Sequence, residues 1–536
     1  MAAAAATLAG ATPAPGARIQ PAPELRGLRV DNGSTPFVGD GRLLTTVSPN
    51  GDGFRDRAIV HFRLEVPATV RLDVVRTDSV KRSAPLATTI MSESAHFRPG
   101  AHVLVWTPTA DTPARTYVLR LTVTGRTGAR RVYGLPRPVP NPRLVAPVVR
   151  IQGIEARFLQ PSYAPGDTAN VSVSTDARSL RFQVFALSAI PHPTARDLMT
   201  GGEAMTPPVS LDWTGHRSAP DLVRVVRAGN WPSGLYFLRI TAGDGRVGYA
   251  PFILRPRRLG LRRVAVVLAT NTWQAYNFYD ADGDGWGDSW YISGALRRID
   301  LRRPYLDFGV PFRFRDWDLT FVSWLRTTGK QVDFISDDDL ARFKSGDALA
   351  RTYDLIVFPG HEEYVTAHAY GLVRRYRDLG GNLLFLSANN FFWKVVRQGP
   401  YLTRVGEWRQ LGRPEAGLVG VQFDAGDYGG RQAPYTVTGA ASEPWVFAGT
   451  GLVNGASFGR YGFEIDKRSP ASPPGTHVLA TITNLMGPGD SAEMTYYQTS
   501  RGAQVFAAGA LNFAASADDP VVSRLLDNVW ARLSQR

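Results

Sequence analysis

Between residues 354 and 393 the chain runs a short apolar stretch, a helix-patterned stretch and a second apolar stretch, and this triplet constrains the fold more than any other feature. Asp354 to Pro359 is apolar and bounded by turn residues, Thr366 to Leu379 has helical spacing closed by Gly380-Gly381, and Asn382 to Ala388 is apolar again. The reading is strand, helix, parallel strand, and ligands of such units bind just beyond the carboxyl ends of the strands. His361, Glu362, Glu363 and Tyr364 follow the first strand, and Asn389 and Asn390 follow the second. Chemistry is expected where these polar, metal-capable side chains gather.

The rest of the chain divides by periodicity. Residues 28–145 hold short alternating runs (AIVHFRLEV, TVRLDVVRT, HVLVWTP, TYVLRLTVTG) separated by Gly, Pro and Asn/Asp turns, the pattern of an Ig-like β-sandwich. Residues 1–27 precede it as a flexible Ala/Pro-rich start, and LPRPVPNPRLVAP ends it as a semi-rigid linker. Residues 146–257 repeat the theme (ANVSVSTD, SLRFQVFAL, GLYFLRITAG) and predict a second β-sandwich. From 258 to 536, VAVVLAT, QVDFIS, DLIVFPG and NLLFLSA alternate with helical segments such as Asp316 to Thr328, which predicts an α/β domain with a mainly parallel sheet. The alternating segments between Gln432 and Gly509 are expected to extend or cover that sheet, and a helix over Pro520 to Ser534 closes the chain.

Composition excludes several functions. A chain of 536 residues with 44% hydrophobic content has large buried cores, and no window approaches eighteen uninterrupted apolar residues, so no transmembrane segment is expected. The net charge of +14 comes almost wholly from scattered arginine; the basic clusters Arg255 to Arg263 and Arg297 to Arg303 are short, and nucleic acid is not expected as a partner. Zero cysteines exclude disulfides, thiolate nucleophiles and Cys-ligated metals. The Pro/Ala-rich start and the β modules predict an exported bacterial protein whose signal peptide lies outside this sequence, with a cytoplasmic location left open. There is no GxSxG elbow, P-loop or HExxH, and the acidic setting of DGDGWG would repel phosphate.

That acidic stretch is a candidate calcium loop. In DADGDGWGD, Asp280, Asp282 and Asp284 alternate, Gly285 is sixth and Asp288 ninth, as in the first nine positions of an EF-hand loop. Position twelve is Tyr291, so the bidentate glutamate is missing and a weak Ca²⁺ site is expected, against the alternative of a solvated acidic loop. SPNGDGFRD, Ser48 to Asp56, is a poorer version that resembles the turn of FlgD-type Ig-like modules. Its Asn50, Asp52 and Asp56 either bind calcium or cap the turn.

The segments ATNTWQAYN (269–277), GHEEY (360–364), GGNLLFLSANNFFW (380–393), RPEAGLVG (413–420), WVFAGTGL (445–452) and EMTYYQT (493–499) occur in an order that resembles the large (beta) subunit of N,N-dimethylformamidase. The resemblance takes in the second sandwich and everything after it. The α/β part is also similar to a class I glutamine amidotransferase-type fold, without the cysteine. The resemblance implies a mononuclear iron held by two tyrosines and a glutamate, which fall on Tyr236 of SGLYFLRI, Tyr276 of NTWQAYN and Glu363 of GHEEY. Phenolate and carboxylate oxygens are hard ligands that suit Fe(III), leaving positions for water and a substrate carbonyl. His361, two residues before Glu363, shares its side if the backbone is extended and would orient the ligand or bind substrate. Asn389 would bind an oxyanion and Glu493 is the candidate general base. Glu362 departs from the family, where proline is expected, as does Val365, where an aromatic is expected; no small subunit is evident.

Two functions follow. One is an iron-dependent amidohydrolase-like protein that cleaves a small, formamide-type amide. The other is a noncatalytic, exported, calcium-stabilised protein that keeps the fold and binds a surface ligand or glycan. Convergence of the tyrosine and glutamate oxygens discriminates between them, and a homo-oligomer stays open.

Overall fold

The alternating segments of the N-terminal region pair into two facing sheets, one of three strands (Arg26–Asp31, Ala58–Leu64, Gly100–Trp106) and one built around Ala68–Arg76 and Thr116–Gly125. This is a computed structural model, and it describes residues 22–77, 87–134, 146–187, 201–291, 296–427 and 429–535. The expected flexible start up to residue 21, and most of the Pro-rich join, lie outside the described residues. Period-two alternation sends Val60, Phe62 and Leu64 from one sheet and Val70, Leu72 and Val74 from the other into a shared core. Val148–Ile151, expected to open the second sandwich, instead pairs in parallel with Leu44–Val47 of the first. The first module therefore extends past residue 145.

The second sandwich sets Glu155–Phe158, Thr168–Ser174 and Asp221–Arg227 against a six-stranded sheet containing Ser179–Leu187, Gly234–Ala242 and Val247–Leu254. Polar ties bind the two modules: Ser48 donates to Asp176 at 2.6 Å and accepts from Arg246 at 2.8 Å, and the buried Arg55 donates to the carbonyl of Arg217 at 2.8 Å. In the Ser48–Asp56 turn, the Asp56 carboxylate accepts the N–H groups of Gly51 and Gly53, and Asp52 pairs with Arg217 at 2.6 Å. The turn is capped by its own side chains and docks on the second sandwich.

A nine-stranded sheet forms the C-terminal domain. Five of its strands are parallel, in the order Asp333–Ser336, Val264–Leu268, Leu355–Phe358, Asn382–Phe385, Gln504–Ala507. The later segments extend it through antiparallel strands Asp490–Gln498, His477–Gly487, Gln432–Val437 and Ser457–Gly462. Each parallel strand is buried on both faces: Val264, Val266 and Leu268 join one core and Ala265 and Val267 another. The helix predicted after Tyr364 spans Ala367–Asp378. Thr366 caps it by accepting the N–H of Ala369, and Gly380, at φ 92°, stops it. Leu235, Phe237 and Tyr249 on the outer face of the second sandwich join the first of these cores, so sandwich and α/β domain share packed apolar surface. Among the described residues no helix is long and apolar enough to cross a membrane.

Candidate metal centre

Strand Leu355–Phe358 is followed by Pro359 and Gly360, and the carbonyls of Glu362 and Glu363 then accept the N–H groups of Phe391 at 2.7 Å and Trp393 at 2.9 Å. The Glu363 N–H also reaches back to the His361 carbonyl at 3.1 Å, a tight turn about Glu362. His361 and Glu363 meet, Nε2 to Oε2 at 3.4 Å. Glu362 turns the other way, toward Asp337, and burial above all keeps both carboxyls protonated beyond the usual range.

Tyr276 arrives from the end of the short helix Thr270–Ala275, which follows strand Val264–Leu268. Its hydroxyl donates to Glu363 and lies 3.3 Å from His361 Nε2. His361 is fixed by its other nitrogen, Nδ1, 3.1 Å from the carbonyl of Ala388, which leaves Nε2 facing the cluster. Trp317 stands edge-on to the imidazole with ring centroids 5.2 Å apart. It is carried there by a π-helical turn, Arg315–Leu319, within the helical segment expected from Asp316 onward. Tyr364 lies edge-on to Tyr276 at 5.8 Å, its phenol on the same side as Glu363 and interacting with its charge.

Asn389 closes the far side in a left-handed conformation, φ 53°, which a short polar side chain tolerates and which is often found where structure is held for function. Its backbone N–H is accepted by Asp466 at 2.8 Å, and its amide donates to Glu363 at 3.2 Å and to Glu464 at 2.8 Å. The amide oxygen, buried, has no hydrogen-bond partner among the described residues. Glu464 also approaches His361 Nε2, at 3.7 Å.

Burial sets the electrostatics. It opposes charge on His361, but Glu464 and Glu363 outweigh it and raise the imidazole to about 9. Burial also raises Glu464, with His361 acting against it, and lifts Asp466 to about 8. Burial, then the negative charge of Glu363, hold the Tyr276 and Tyr364 phenols well above their ordinary range.

Two residues assigned by resemblance are not brought here. Tyr236 lies in strand Gly234–Ala242, whose alternation turns Leu235 and Phe237 toward the α/β domain and Tyr236 into the core of the second sandwich. There it stacks between Trp231 and Phe252 and donates to the carbonyl of Pro232 at 2.7 Å. Glu493 faces the other way from the cluster, its carboxylate taken up by the backbone N–H and guanidinium of Arg468 at 2.9 and 3.0 Å. Glu464 and Asp466 were not expected. In YGFEIDK they read as the outward-facing positions of an ordinary alternating strand, and only their pairing around the buried Ile465 hints at a role.

The acidic loop folds on itself. Asp280 accepts the N–H groups of Gly283 at 2.7 Å and Gly285 at 2.9 Å, Asp282 accepts that of Asp284 at 3.1 Å, Asp284 that of Trp286 at 2.7 Å, and Asp288 that of Ala281 at 2.9 Å. Ligand oxygens of Asp280, Asp282 and Asp288 lie within 4.8 Å of one another. Burial, followed by the charge of Asp284, holds the Asp280 carboxyl well above its usual range. The loop presses on the first sandwich: Thr77 donates to the carbonyl of Gly285, and a Cβ on Gly285 would meet Val118 at 2.6 Å.

Known proteins place this site in a family. The family model described as N,N-dimethylformamidase beta subunit-like, C-terminal, matches residues 219–524, more than half of the chain, and the chain belongs to that family. Among individual relatives, the N,N-dimethylformamidase beta subunit of Paracoccus aminophilus is 23% identical over 403 residues, covering 55% of this chain and 52% of that protein. The N,N-dimethylformamidase beta subunit of an Alcaligenes species is 24% identical over 284 residues, covering 40% of this chain and 36% of that protein. The chain thus spans about half the length of the first of these relatives and less of the second. A solved structure of Escherichia coli alpha-2-macroglobulin activated by porcine elastase matches 43% of this chain and 20% of that one at 11% identity, with a TM-score of 0.16, too slight a likeness to bear on the fold.

Proposed function

We propose that this chain hydrolyses a small amide at the Tyr276–His361–Glu363 cluster, adding water across the C–N bond to give a carboxylic acid and an amine. The observation that carries the reading is the meeting of the Tyr276 phenol and the Glu363 carboxylate, buried, against His361 Nε2. Family membership, in an amide hydrolase-related family, supports the reaction class.

The donor set fits the iron that the family implies, with one change of ligand. Tyr236 does not reach the cluster, while Tyr364 adds a second phenol beside Tyr276 and Glu363. Two phenols and a carboxylate are hard donors suited to Fe(III), and Glu464 supplies a further carboxylate nearby. A ferric ion bound there supplies a Lewis acid for an amide carbonyl and acidifies water. His361, tethered through Nδ1, holds or passes a proton at Nε2, and Glu464 rather than Glu493 is the carboxylate placed to accept one. Asn389 keeps the two carboxylates apart with its amide nitrogen, and its partnerless oxygen is an acceptor for a substrate N–H. Three adjacent parallel strands, Val264–Leu268, Leu355–Phe358 and Asn382–Phe385, lead into this cluster, an arrangement that supports the amidotransferase-type reading.

The test is metal analysis of the purified protein with a visible spectrum, followed by an amide screen. Stoichiometric iron, a tyrosinate charge-transfer band and hydrolysis of a small amide support the reading; iron that is absent and cannot be restored rejects it. The second reading, a noncatalytic, exported, calcium-stabilised binding protein, is favoured by the convergence of Asp280, Asp282 and Asp288. Calcium without iron, and no turnover, selects it.

A further inference from the structure

A second, separate cavity of about 280 Å³ opens between the second sandwich and the α/β domain, walled by Phe158, Pro251, Leu301, Tyr305 and Pro400. Four arginines line it, from three parts of the chain: Arg157 of strand Glu155–Phe158, Arg302 and Arg303 beyond strand Arg298–Asp300, and Arg397 of strand Trp393–Gln398. One carboxylate, Asp338, shares the lining. Alternation along Glu155–Phe158 explains Arg157: Ala156 and Phe158 turn into the sandwich core, so Glu155 and Arg157 must face the α/β domain.

The four charges are unequally satisfied. Arg302 pairs with Asp300 at 2.7 Å, and Arg397 pairs with Asp338. Arg303 is buried and donates to the carbonyls of Gln274, Asn277, Tyr279, Asp288 and Asp300, which fixes it without a side-chain ion pair. The Arg157 guanidinium has neither a hydrogen-bond nor an ion-pair partner among the described residues. Burial, then the like charge of Arg302, work against its proton, with Asp300 acting the other way. A guanidinium without a protein partner, lining the same cavity as a second one, offers free donors to an anion.

We propose that this cavity binds a small molecule bearing a doubly charged oxyanion, with Arg157 and Arg302 as its main donors. The shared chemistry is a phosphate or a paired carboxylate. Planar guanidinium forks match both, and of the four arginines Arg157 is the one with no protein partner among the described residues, beside Arg302, whose pairing with Asp300 is half-exposed. The volume lies at the low end for small-molecule sites, which fits a group of this size with a short apolar tail against Pro251 and Leu301. The site does not rest on the amidase reading, because none of the residues of the Tyr276 cluster lines the cavity.

Isothermal titration of the full chain with inorganic phosphate, and separately with succinate, tests this at matched ionic strength. One molecule of either per chain is expected, at least tenfold weaker in Arg157→Gln and in Arg302→Gln, as loss of a charge-assisted bond implies. Phosphate alone points to a phosphoester as the natural ligand and succinate alone to a dicarboxylate. Arg157→Gln removes no contact made in the structure, so its melting temperature and iron content are expected to match those of the parent. Absence of binding up to about 10 mM of both anions, a range that would reveal even millimolar affinity, overturns the proposal. So does binding that Arg157→Gln leaves unchanged, which is the behaviour of phosphate held by iron.

Discussion

Tyr276 donates its phenolic hydrogen to Glu363 across 87 residues of sequence, so the ends of two neighbouring parallel strands are joined by a buried bond, alongside that from the Glu363 N–H to Thr272 at 3.2 Å. Each partner is also tied to His361, and no step of one residue's position leaves the other unaffected.

Metal content should follow this bond. Tyr276→Phe and Glu363→Gln are each expected to lose iron and any tyrosinate band while retaining a cooperative unfolding transition. Tyr236→Phe, by contrast, should keep its iron and lose about 1 kcal/mol, the net worth of the hydrogen bond to Pro232. Iron analysis, absorption spectra and urea melts of the three variants check this.

The two candidate bases separate by position. Glu464→Gln should lower kcat for amide hydrolysis by about a hundredfold or more, the usual range for removing a proton-transfer group. Glu493→Gln should leave kcat within about twofold, since its contact with the half-exposed Arg468 is worth at most about 1 kcal/mol of stability. Steady-state kinetics on any amide that the parent hydrolyses decides between them.

Asp318 makes stability depend on pH. Its carboxyl is buried, accepts only the indole N–H of Trp273, at 3.1 Å, and is pushed up to about 7 by burial. The folded protein therefore holds a proton that the unfolded chain releases near 4. This group's contribution is most favourable at low pH and falls by up to about 4 kcal/mol as pH rises from 4 through 7. Asp318→Asn keeps an acceptor for Trp273 and should be more stable than the parent at pH 8, with the gap closing toward pH 4. Urea melts across that window measure it.

If the acidic loop takes calcium, free Ca²⁺ at a hundred times Kd adds about 2.7 kcal/mol of stability. Asp282→Asn, which keeps the bond from the Asp284 N–H but loses the charge, should show little of that gain. Melting curves with calcium and with EGTA test it, and equal curves for the parent in both would leave the loop as a self-capped turn.

Much of this molecule was legible because its cores follow period. Strands at Val264, Asp333, Leu355 and Asn382 announced themselves as apolar runs, and the Thr366 cap and Gly380 stop bounded the helix between. His361 does meet Glu363, through a turn about Glu362 rather than along extended backbone. What failed was orientation across long sequence distance. The strand of Tyr236 offers two faces, and nothing local says that Leu235 and Phe237, not Tyr236, look toward the α/β domain. Glu464 was hidden for the converse reason: on an alternating strand an acid suggests solvent, and its burial depends on Asn389 and His361, some 75 and 103 residues earlier by number. The domain boundary slipped at Val148 because an apolar tetrapeptide carries no label for which sheet it will join.

The docking of the Asp280–Asp288 loop against Val118 and Val148 has a consequence for how the protein can be cut. The loop starts four residues beyond Tyr276, so the first sandwich is a wall against which the Tyr276 segment is braced. A fragment trimmed to residues 219–524 would also begin within the second sandwich and strip the strands that cover Tyr236. For expression and crystallisation a fragment should keep both sandwiches with the α/β domain, from strand Arg26–Asp31 to helix Pro520–Leu533.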